Sequence, residues 1–280
     1  MASVLVFGAI AFAFGLAIGS FLNVCILRIP SGKSIVLPAS ACPKCGTPIK
    51  PWDNIPVLSY LILLGRCRSC RTRISPMYPA VEFVTAALFV LCYLEFGISL
   101  ATIKWCLFTA LIVELVVTDF RERILPDVVN FTGLAIGLLF SFFSPPPDGT
   151  AAWFASIFFK SLPPRPVISV ADALLGAAIG GGVLWAISEG YFRLRGREGM
   201  GLGDVKMMLM VGSFLGAKRT ILTMLGGSLI GTIYGVIAIA SGKGRDYELP
   251  FGSFLGVAAL IVVLFGTPVV DWYVSLLRMR

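Results

Sequence analysis

Residues 4–27 read VLVFGAIAFAFGLAIGSFLNVCIL, an apolar run without a charged side chain. A helix of about 20 such residues spans the hydrocarbon core of a bilayer. The whole chain has the same character, since 57% of its 280 residues are hydrophobic and only 14% are charged. These polar residues are too few to cover a water-soluble globule. The sequence therefore predicts a membrane protein, and we expect the first run to remain as a helix rather than a cleaved signal.

Seven further apolar segments follow, and together with the first they predict an all-α polytopic membrane protein with about eight transmembrane helices. They cover residues 78–97, 100–118, 126–143, 171–190, 205–217, 220–241 and 252–273. The segment 205–217 is the weakest of them, because it is short and contains Lys206. Residues 144–170 hold two proline-rich runs and are predicted to form a long outer loop without a helical pattern.

The basic residues predict the orientation of these helices. A net charge of +8 could suggest a nucleic-acid partner, but in a multi-span membrane protein the placement of Lys and Arg is more informative. If the N-terminus faces outwards, the inner loops hold 16 of the 23 basic residues, in the ranges 28–77, 119–124, 191–206 and 242–250. We therefore expect an N-out topology, a lipid bilayer as the surrounding partner, and no nucleic acid.

The longest inner loop, residues 28–77, contains two Cys-x2-Cys pairs. Two such pairs can turn four thiolates towards one tetrahedral zinc ion. Disulfides are one alternative, which the reducing cytoplasm disfavours, and a thioredoxin-like dithiol is another, which would need only one pair. A loop of this length with few aliphatic side chains also needs a metal in order to fold. We predict a small cytoplasmic zinc-ribbon-like loop whose structural zinc is held by Cys42, Cys45, Cys67 and Cys70.

The stretch Gly199-Met200-Gly201-Leu202-Gly203-Asp204-Val205-Lys206 places an acid behind three alternating glycines and before an apolar run. Asp204 has an ordinary explanation, since Asp is a preferred N-cap of helices. Asp119 is harder to explain, because it closes a predicted helix at the end where the helix dipole disfavours an acid. Both acids are predicted at the inner membrane face at similar depth, so that they could face one another.

The chain contains no histidine, which excludes Ser-His-Asp and Cys-His hydrolysis, His-ligated zinc proteases and His proton relays. Two carboxylates that lie close together share a proton and can activate water towards a peptide carbonyl. We predict that Asp119 and Asp204 form such a pair and titrate as a unit. The glycines at positions 199, 201 and 203 (Gly199, Gly201 and Gly203) would let a substrate strand lie close to the backbone.

Other polar residues near the predicted helix ends are candidates for supporting or substrate-binding roles. Glu114 lies inside a predicted span, where a buried acid is costly and a functional candidate. Asp127 and Glu82 have ordinary explanations as acids at helix starts, because each follows a proline that suits a first turn. Lys206 could support Asp204 or act as an anchor at the membrane interface.

Together these motifs resemble the type IV prepilin peptidase family, the bacterial GxGD-type aspartic proteases. The matching segments are Gly19-Ser20-Phe21-Leu22-Asn23, Arg28-Ile29-Pro30, the two cysteine pairs, Trp52-Asp53-Asn54-Ile55-Pro56, Tyr78-Pro79 with Glu82, Asp119 with Leu125-Pro126-Asp127, and Gly-x-Gly-x-Gly-Asp204-x-Lys206. Pro250-Phe251-Gly252 also matches, although Ser253 stands where the family usually has proline. The resemblance extends over nearly the whole chain.

The resemblance implies a bifunctional enzyme of the bacterial inner membrane that acts on prepilins and type II secretion pseudopilins. Such an enzyme cleaves a basic leader after a glycine at the cytoplasmic face, then methylates the new N-terminal amine from S-adenosylmethionine. The family's catalytic aspartates fall on Asp119 and Asp204, and its four cysteines fall on the two pairs. The implied organisation is a first helix over 1–27, a zinc-binding methyltransferase part over 28–77 and a peptidase domain over 78–280.

Two other functions explain the same features. A transporter or assembly scaffold with a zinc-stapled loop would also have eight helices and a few acids in the membrane. An intramembrane protease that acts on signal-peptide remnants would use the same acids on a different substrate. Prepilin processing discriminates these functions.

Overall fold

The computed structural model describes residues 2–146, 148–158, 161–197, 199–242, 244 and 249–278. Its described residues form helices and loops without a β-strand, which confirms the all-α prediction. The chain divides into two compact units, Met1–Thr102 and Ile103–Arg280. The functional division at 1–27, 28–77 and 78–280 stays a prediction.

The first unit consists of two long helices and the cysteine-bearing loop that joins them. Helix α1 spans Ala2–Arg28 and α3 spans Met77–Phe96, while the loop carries a 3-10 turn at Pro51–Asp53 and the short helix α2 at Leu58–Ile62. Glycine permits α1 to lie directly against α3, since a Cβ on Gly19 would be 2.6 Å from the Cα of Glu82. This close contact fixes the position of Glu82.

The second unit is built around one buried helix. Its elements are α4 (Leu100–Glu122), α5 (Asp127–Phe143), α6 (Thr150–Phe158), α7 (Arg165–Arg195), α8 (Leu202–Leu215), α9 (Ala217–Ala240) and α10 (Phe251–Arg278). Helix α8 packs against α5, α7, α9 and α10. Its methionines Met207, Met208 and Met210 are fully buried, so they form the core of this unit.

Each of the eight predicted apolar segments corresponds to one of these helices. In the part of the chain that the structure describes, five helices, α1, α3, α4, α7 and α9, are long and apolar enough to cross a membrane. Helix α5 and residues Phe251–Gly266 of α10 are shorter apolar helices. The prediction of an all-helical, multi-pass membrane fold is therefore confirmed, while the number of eight crossings stays a prediction.

The loop predicted over residues 144–170 is wrong in two respects. Helix α6 lies within it, and α7 begins at Arg165 rather than at residue 171. Pro166 lies in the first turn of α7, where a helix tolerates proline because the missing N–H would have no partner there. The Ala151 N–H at the start of α6 donates to Asp172 of α7 at 2.6 Å. The prolines therefore mark the ends of helices instead of excluding them.

Candidate active site and cysteine cluster

Asp204 lies in the first turn of α8, and 8% of the residue is exposed. The N-cap residue of this helix is Gly201, so the ordinary explanation of Asp204 as a cap residue is wrong. Asp204 is the third helical residue, from which a carboxylate can reach back to the backbone N–H of the cap, and it interacts with that N–H of Gly201. The start of α8 therefore holds this carboxylate in a buried position.

Asp119 lies in the last turn of α4 and is 6% exposed. Its Oδ2 atom accepts hydrogen bonds from the Ser253 backbone N–H at 2.6 Å and from the Ser253 hydroxyl at 2.7 Å. Ser253 lies in the first turn of α10, where free backbone N–H groups carry partial positive charge. The start of α10 therefore supplies the stabilisation that the end of α4 cannot give to an acid.

The two aspartates converge in front of Gly252. A Cβ built on Gly252 would lie 3.0 Å from Asp204 Oδ1 and 3.3 Å from Asp119 Oδ2. The same point is 2.7 Å from Leu125 Cδ1, so there is no room for a side chain. Both carboxylates therefore face one small space, which glycine at position 252 keeps open. The pairing of Asp119 with Asp204 is present in the structure, and their catalytic role stays a prediction.

The three glycines of the Gly-x-Gly-x-Gly motif have different surroundings. A Cβ on Gly199 would lie 2.5 Å from the Tyr191 ring, and a Cβ on Gly203 would lie 3.0 Å from Leu125 Cβ. Beside Gly201 the nearest such contact is at 3.8 Å, with Asp204 Oδ2. Gly199 and Gly203 thus leave room for the side chains of Tyr191 and Leu125. Beside Gly201 there is open space next to Asp204. The substrate-binding role of these glycines stays a prediction.

Lys206 and Asp127 form an ion pair between the starts of α8 and α5. Lys206 Nζ donates to both carboxylate oxygens of Asp127, at 2.8 and 2.7 Å. The two side chains are 30% and 58% exposed, so we expect this pair to contribute about 1 kcal/mol or less to stability. The pair links two helices of the site, and a role in substrate binding stays a prediction for both residues.

Glu114 is buried in α4 and is 2% exposed. Its Oε1 accepts a hydrogen bond from Thr118 at 3.2 Å, and its Oε2 has no hydrogen-bond partner in the described part of the chain. Thr118 directly precedes Asp119 in the same helix. The structure thus connects Glu114 to the helix end that carries Asp119, and its supporting role stays a prediction.

Sequence reasoning missed the positions of Gly252 and Ser253 in the site. In the sequence, both residues are recognisable only as part of a family motif, Pro250-Phe251-Gly252 and the position that follows it. A local signal was available, because a glycine followed by a small polar residue directly before an apolar run repeats the pattern of Gly203 and Asp204. This local pattern does not reveal which residue Ser253 contacts, because Asp119 lies 134 positions earlier in the sequence.

The four predicted zinc ligands meet in the first unit. The Sγ atoms of Cys42, Cys45, Cys67 and Cys70 all lie within 4.8 Å of one another, and those of Cys42 and Cys70 are 3.8 Å apart. Tetrahedral zinc with bonds of about 2.3 Å to sulfur requires sulfur atoms about 3.8 Å apart. A disulfide would require about 2.05 Å, and these cysteines are free. The donor set therefore fits one zinc ion.

The two cysteine pairs have the same local backbone structure. The Cys42 N–H donates to the Thr47 carbonyl at 3.0 Å, and the Cys67 N–H donates to the Thr72 carbonyl at 2.8 Å. Hydrogen bonds with Thr47 lower the pKa of the Cys45 thiol to about 6. A zinc ion would bind the thiolate forms of all four cysteines.

Each of the two units contains a match to a known protein family. Residues 13–96 match the bacterial peptidase A24 N-terminal domain, and residues 105–236 match the type IV leader peptidase family. No solved structure matches the chain.

Several curated relatives carry the name prepilin leader peptidase/N-methyltransferase. The protein of Aeromonas salmonicida is 32% identical over 293 residues, covering 95% of this chain and 94% of the relative. The Pseudomonas aeruginosa protein is 33% identical, with coverages of 93% and 91%. The Bacillus subtilis protein is also 33% identical, with coverages of 96% and 98%. This chain belongs to the type IV leader peptidase family.

Proposed function

We propose that this protein cleaves the leader of prepilins with an Asp119–Asp204 pair and then methylates the N-terminus that it releases. The observation that carries the peptidase function is the convergence of two buried carboxylates in front of Gly252, in a chain without histidine. The names of the relatives describe both activities.

The aspartates act on water as one unit. Two carboxylates that face one small space do not both ionise readily, so they share one proton. The charged member takes a proton from a water molecule as this water attacks the scissile carbonyl carbon, and the protonated member gives its proton to the carbonyl oxygen. The two hydrogen bonds from Ser253 hold the Asp119 carboxylate in position for this step.

The substrates are type IV prepilins and type II secretion pseudopilins, cut after a glycine at the cytoplasmic face. The enzyme lies in the bacterial inner membrane with its N-terminus outside. The apolar helices support insertion into the membrane, and the basic residues of the inner loops support this orientation. In this topology Asp119, Asp204 and the cysteine loop all face the cytoplasm.

Residues 28–77 form the zinc-stapled methyltransferase part, and S-adenosylmethionine supplies the methyl group. Cys42, Cys45, Cys67 and Cys70 would hold the zinc ion, whose role is to fix the loop rather than to react. The match of residues 13–96 to a separate N-terminal domain supports a second function for this unit.

Processing of a prepilin in membranes that contain this protein tests the function. We expect cleavage after the leader glycine, and we expect mass spectrometry to find one methyl group on the new N-terminus. A prepilin with this glycine replaced and a pilin without its leader are the controls. Cleavage that ignores the leader would favour a general intramembrane protease, absence of cleavage would favour a transporter or scaffold, and an unmethylated amine would restrict the enzyme to proteolysis.

Gly252→Ala should lower the cleavage rate at least about tenfold. The added methyl group would lie 3.0 Å from Asp204 Oδ1 and 2.7 Å from Leu125, so it would displace the carboxylate or fill the space where water reacts. Initial rates of prepilin cleavage measure the effect. Gly182→Ala in α7 is the matched control, because a Cβ there has no atom within 4 Å. Equal rates for the two variants would contradict this prediction.

Ser253→Ala should lower the cleavage rate about fivefold, because it removes one of the two donors to Asp119 and a hydrogen bond is worth about 1 kcal/mol. The remaining backbone N–H keeps the carboxylate partly oriented. Ser253→Thr retains a hydroxyl and should restore most of the rate. If alanine supports the wild-type rate, the hydroxyl has no part in positioning Asp119.

A further inference from the structure

A cavity of about 450 Å³ lies in the first unit, beside two of the four clustered cysteines. Its wall includes Cys42 and Cys67 from the two pairs, the segment between the pairs, and Tyr78 and Glu82 from the start of α3. This volume is in the range of sites for small molecules and cofactors. The peptidase site does not use it, since Asp119 and Asp204 belong to the other unit.

Glu82 is the buried acid of this cavity, with 8% of the residue exposed. Its ordinary explanation as a first-turn acid is wrong, because α3 begins at Met77 and Glu82 lies in the second turn. Its Oε2 instead accepts a hydrogen bond from the Val57 N–H in the loop, at 2.7 Å. A buried carboxylate is costly, and neither proteolysis nor zinc binding accounts for this one.

Val57 provides a second observation at the same cavity. Its φ of 59° lies in the left-handed region, which β-branched residues rarely adopt. The backbone at this point is therefore strained, and the hydrogen bond to Glu82 helps to hold it. Backbone strain of this kind concentrates at ligand and catalytic sites, and Val57 lines the cavity.

The other side chains of the wall match a ligand with aromatic and charged parts. Tyr60 and Tyr78 offer aromatic surface, and Lys50 and Arg73 offer positive charge. Asp53 also lines the cavity, but Arg68 donates to it through Nε at 2.9 Å and through Nη2 at 2.5 Å. These hydrogen bonds hold the pKa of Asp53 below its ordinary value and neutralise its charge locally. Glu82 is therefore the negative group that remains for a ligand.

S-adenosylmethionine has the corresponding chemistry. Its adenine ring suits an aromatic wall, its carboxylate suits basic side chains, and its sulfonium and ammonium groups are positive. We propose that this cavity binds S-adenosylmethionine and that Glu82 supplies the charge that favours the positive donor over the neutral sulfur of the product. The proposal rests on the methyltransferase half of the proposed function. Methyl transfer to the amine breaks the carbon–sulfur bond, leaves S-adenosylhomocysteine and releases one proton.

Calorimetry on the purified, zinc-loaded full chain tests this assignment with S-adenosylmethionine and S-adenosylhomocysteine as the two probes. Glu82→Gln should weaken binding of the donor at least tenfold and binding of the product less than threefold, because only the donor carries the sulfonium charge. Glu95→Gln, an exposed acid on the same helix, is the matched control and should bind both probes as the wild type does.

A second variant separates the cavity from the fold of the loop. Ile55→Trp places a larger side chain in the cavity wall and leaves the contact between Glu82 and Val57 in place, so it should weaken both probes at least tenfold. Zinc content and the unfolding temperature verify that each variant is folded. A wild type that binds neither probe would overturn the methyltransferase function itself. Wild-type binding with no effect of Glu82→Gln and Ile55→Trp would overturn only the assignment to this cavity.

Discussion

We expect Asp119→Asn and Asp204→Asn each to lower prepilin cleavage by a factor of about 10⁴ or more, because each variant loses one member of a catalytic unit. Asparagine has nearly the size of aspartate, but it cannot hold or transfer the shared proton. The water molecule then has no complete acid–base pair to activate it. Membranes with equal amounts of each variant, incubated with excess prepilin, give the initial rates that measure this effect.

Glu122→Gln is the matched control for these two substitutions. It removes one negative charge from the same end of α4, three residues after Asp119, but the Glu122 side chain is 47% exposed and lies near Arg121. Its surface interaction is worth about 1 kcal/mol or less, so cleavage should stay within about fivefold of the wild-type rate. Normal turnover in either asparagine variant would contradict the catalytic assignment.

The double variant Cys42→Ser/Cys67→Ser should lose the zinc ion and the folded structure of the cysteine loop. It removes one thiolate from each pair, and structural zinc in small loops contributes about 10 kcal/mol or more to folding. Residues 28–77 have few other elements to hold them, namely the 3-10 turn at Pro51–Asp53 and the short helix α2. We expect about one zinc ion per wild-type chain, almost none in the variant, and loss of pilin methylation with it.

Elemental analysis and limited proteolysis of the loop measure these effects. Cys106→Ser is the control, because Cys106 lies in α4 and outside the cluster, so zinc content should not change. A folded wild type that is free of metal would contradict the zinc assignment.

The helices and the cysteine cluster were predictable because their signals are local. An apolar run of about 20 residues has to bury its backbone polar groups as a helix in lipid, whatever its neighbours are. Two residues between cysteines likewise suffice to turn both sulfurs towards one ion. Both features could therefore be predicted from the order of residues along the chain, and in the structure all four sulfur atoms lie together.

The contacts that complete the aspartate site were not predictable in this way. Ser253 and Gly252 act on Asp119 and Asp204 through packing between α10, α4 and α8, which no local pattern describes. The prediction of a membrane span over residues 205–217 is also weak for a reason that only the packing between helices shows. Helix α8 has only 14 residues. Other helices of its unit surround it, so its fully buried Met207 and Met210 contact protein rather than lipid.

The double variant Asp119→Asn/Asp204→Asn, compared with both single variants, tests the shared active site most directly. A single-turnover assay with long incubation provides the sensitivity that such slow cleavage requires. If the two aspartates share one proton and act as a unit, the double variant cleaves no more slowly than the slower single variant. If instead the two losses multiply, the aspartates act independently, and the dyad in front of Gly252 is not the catalytic group.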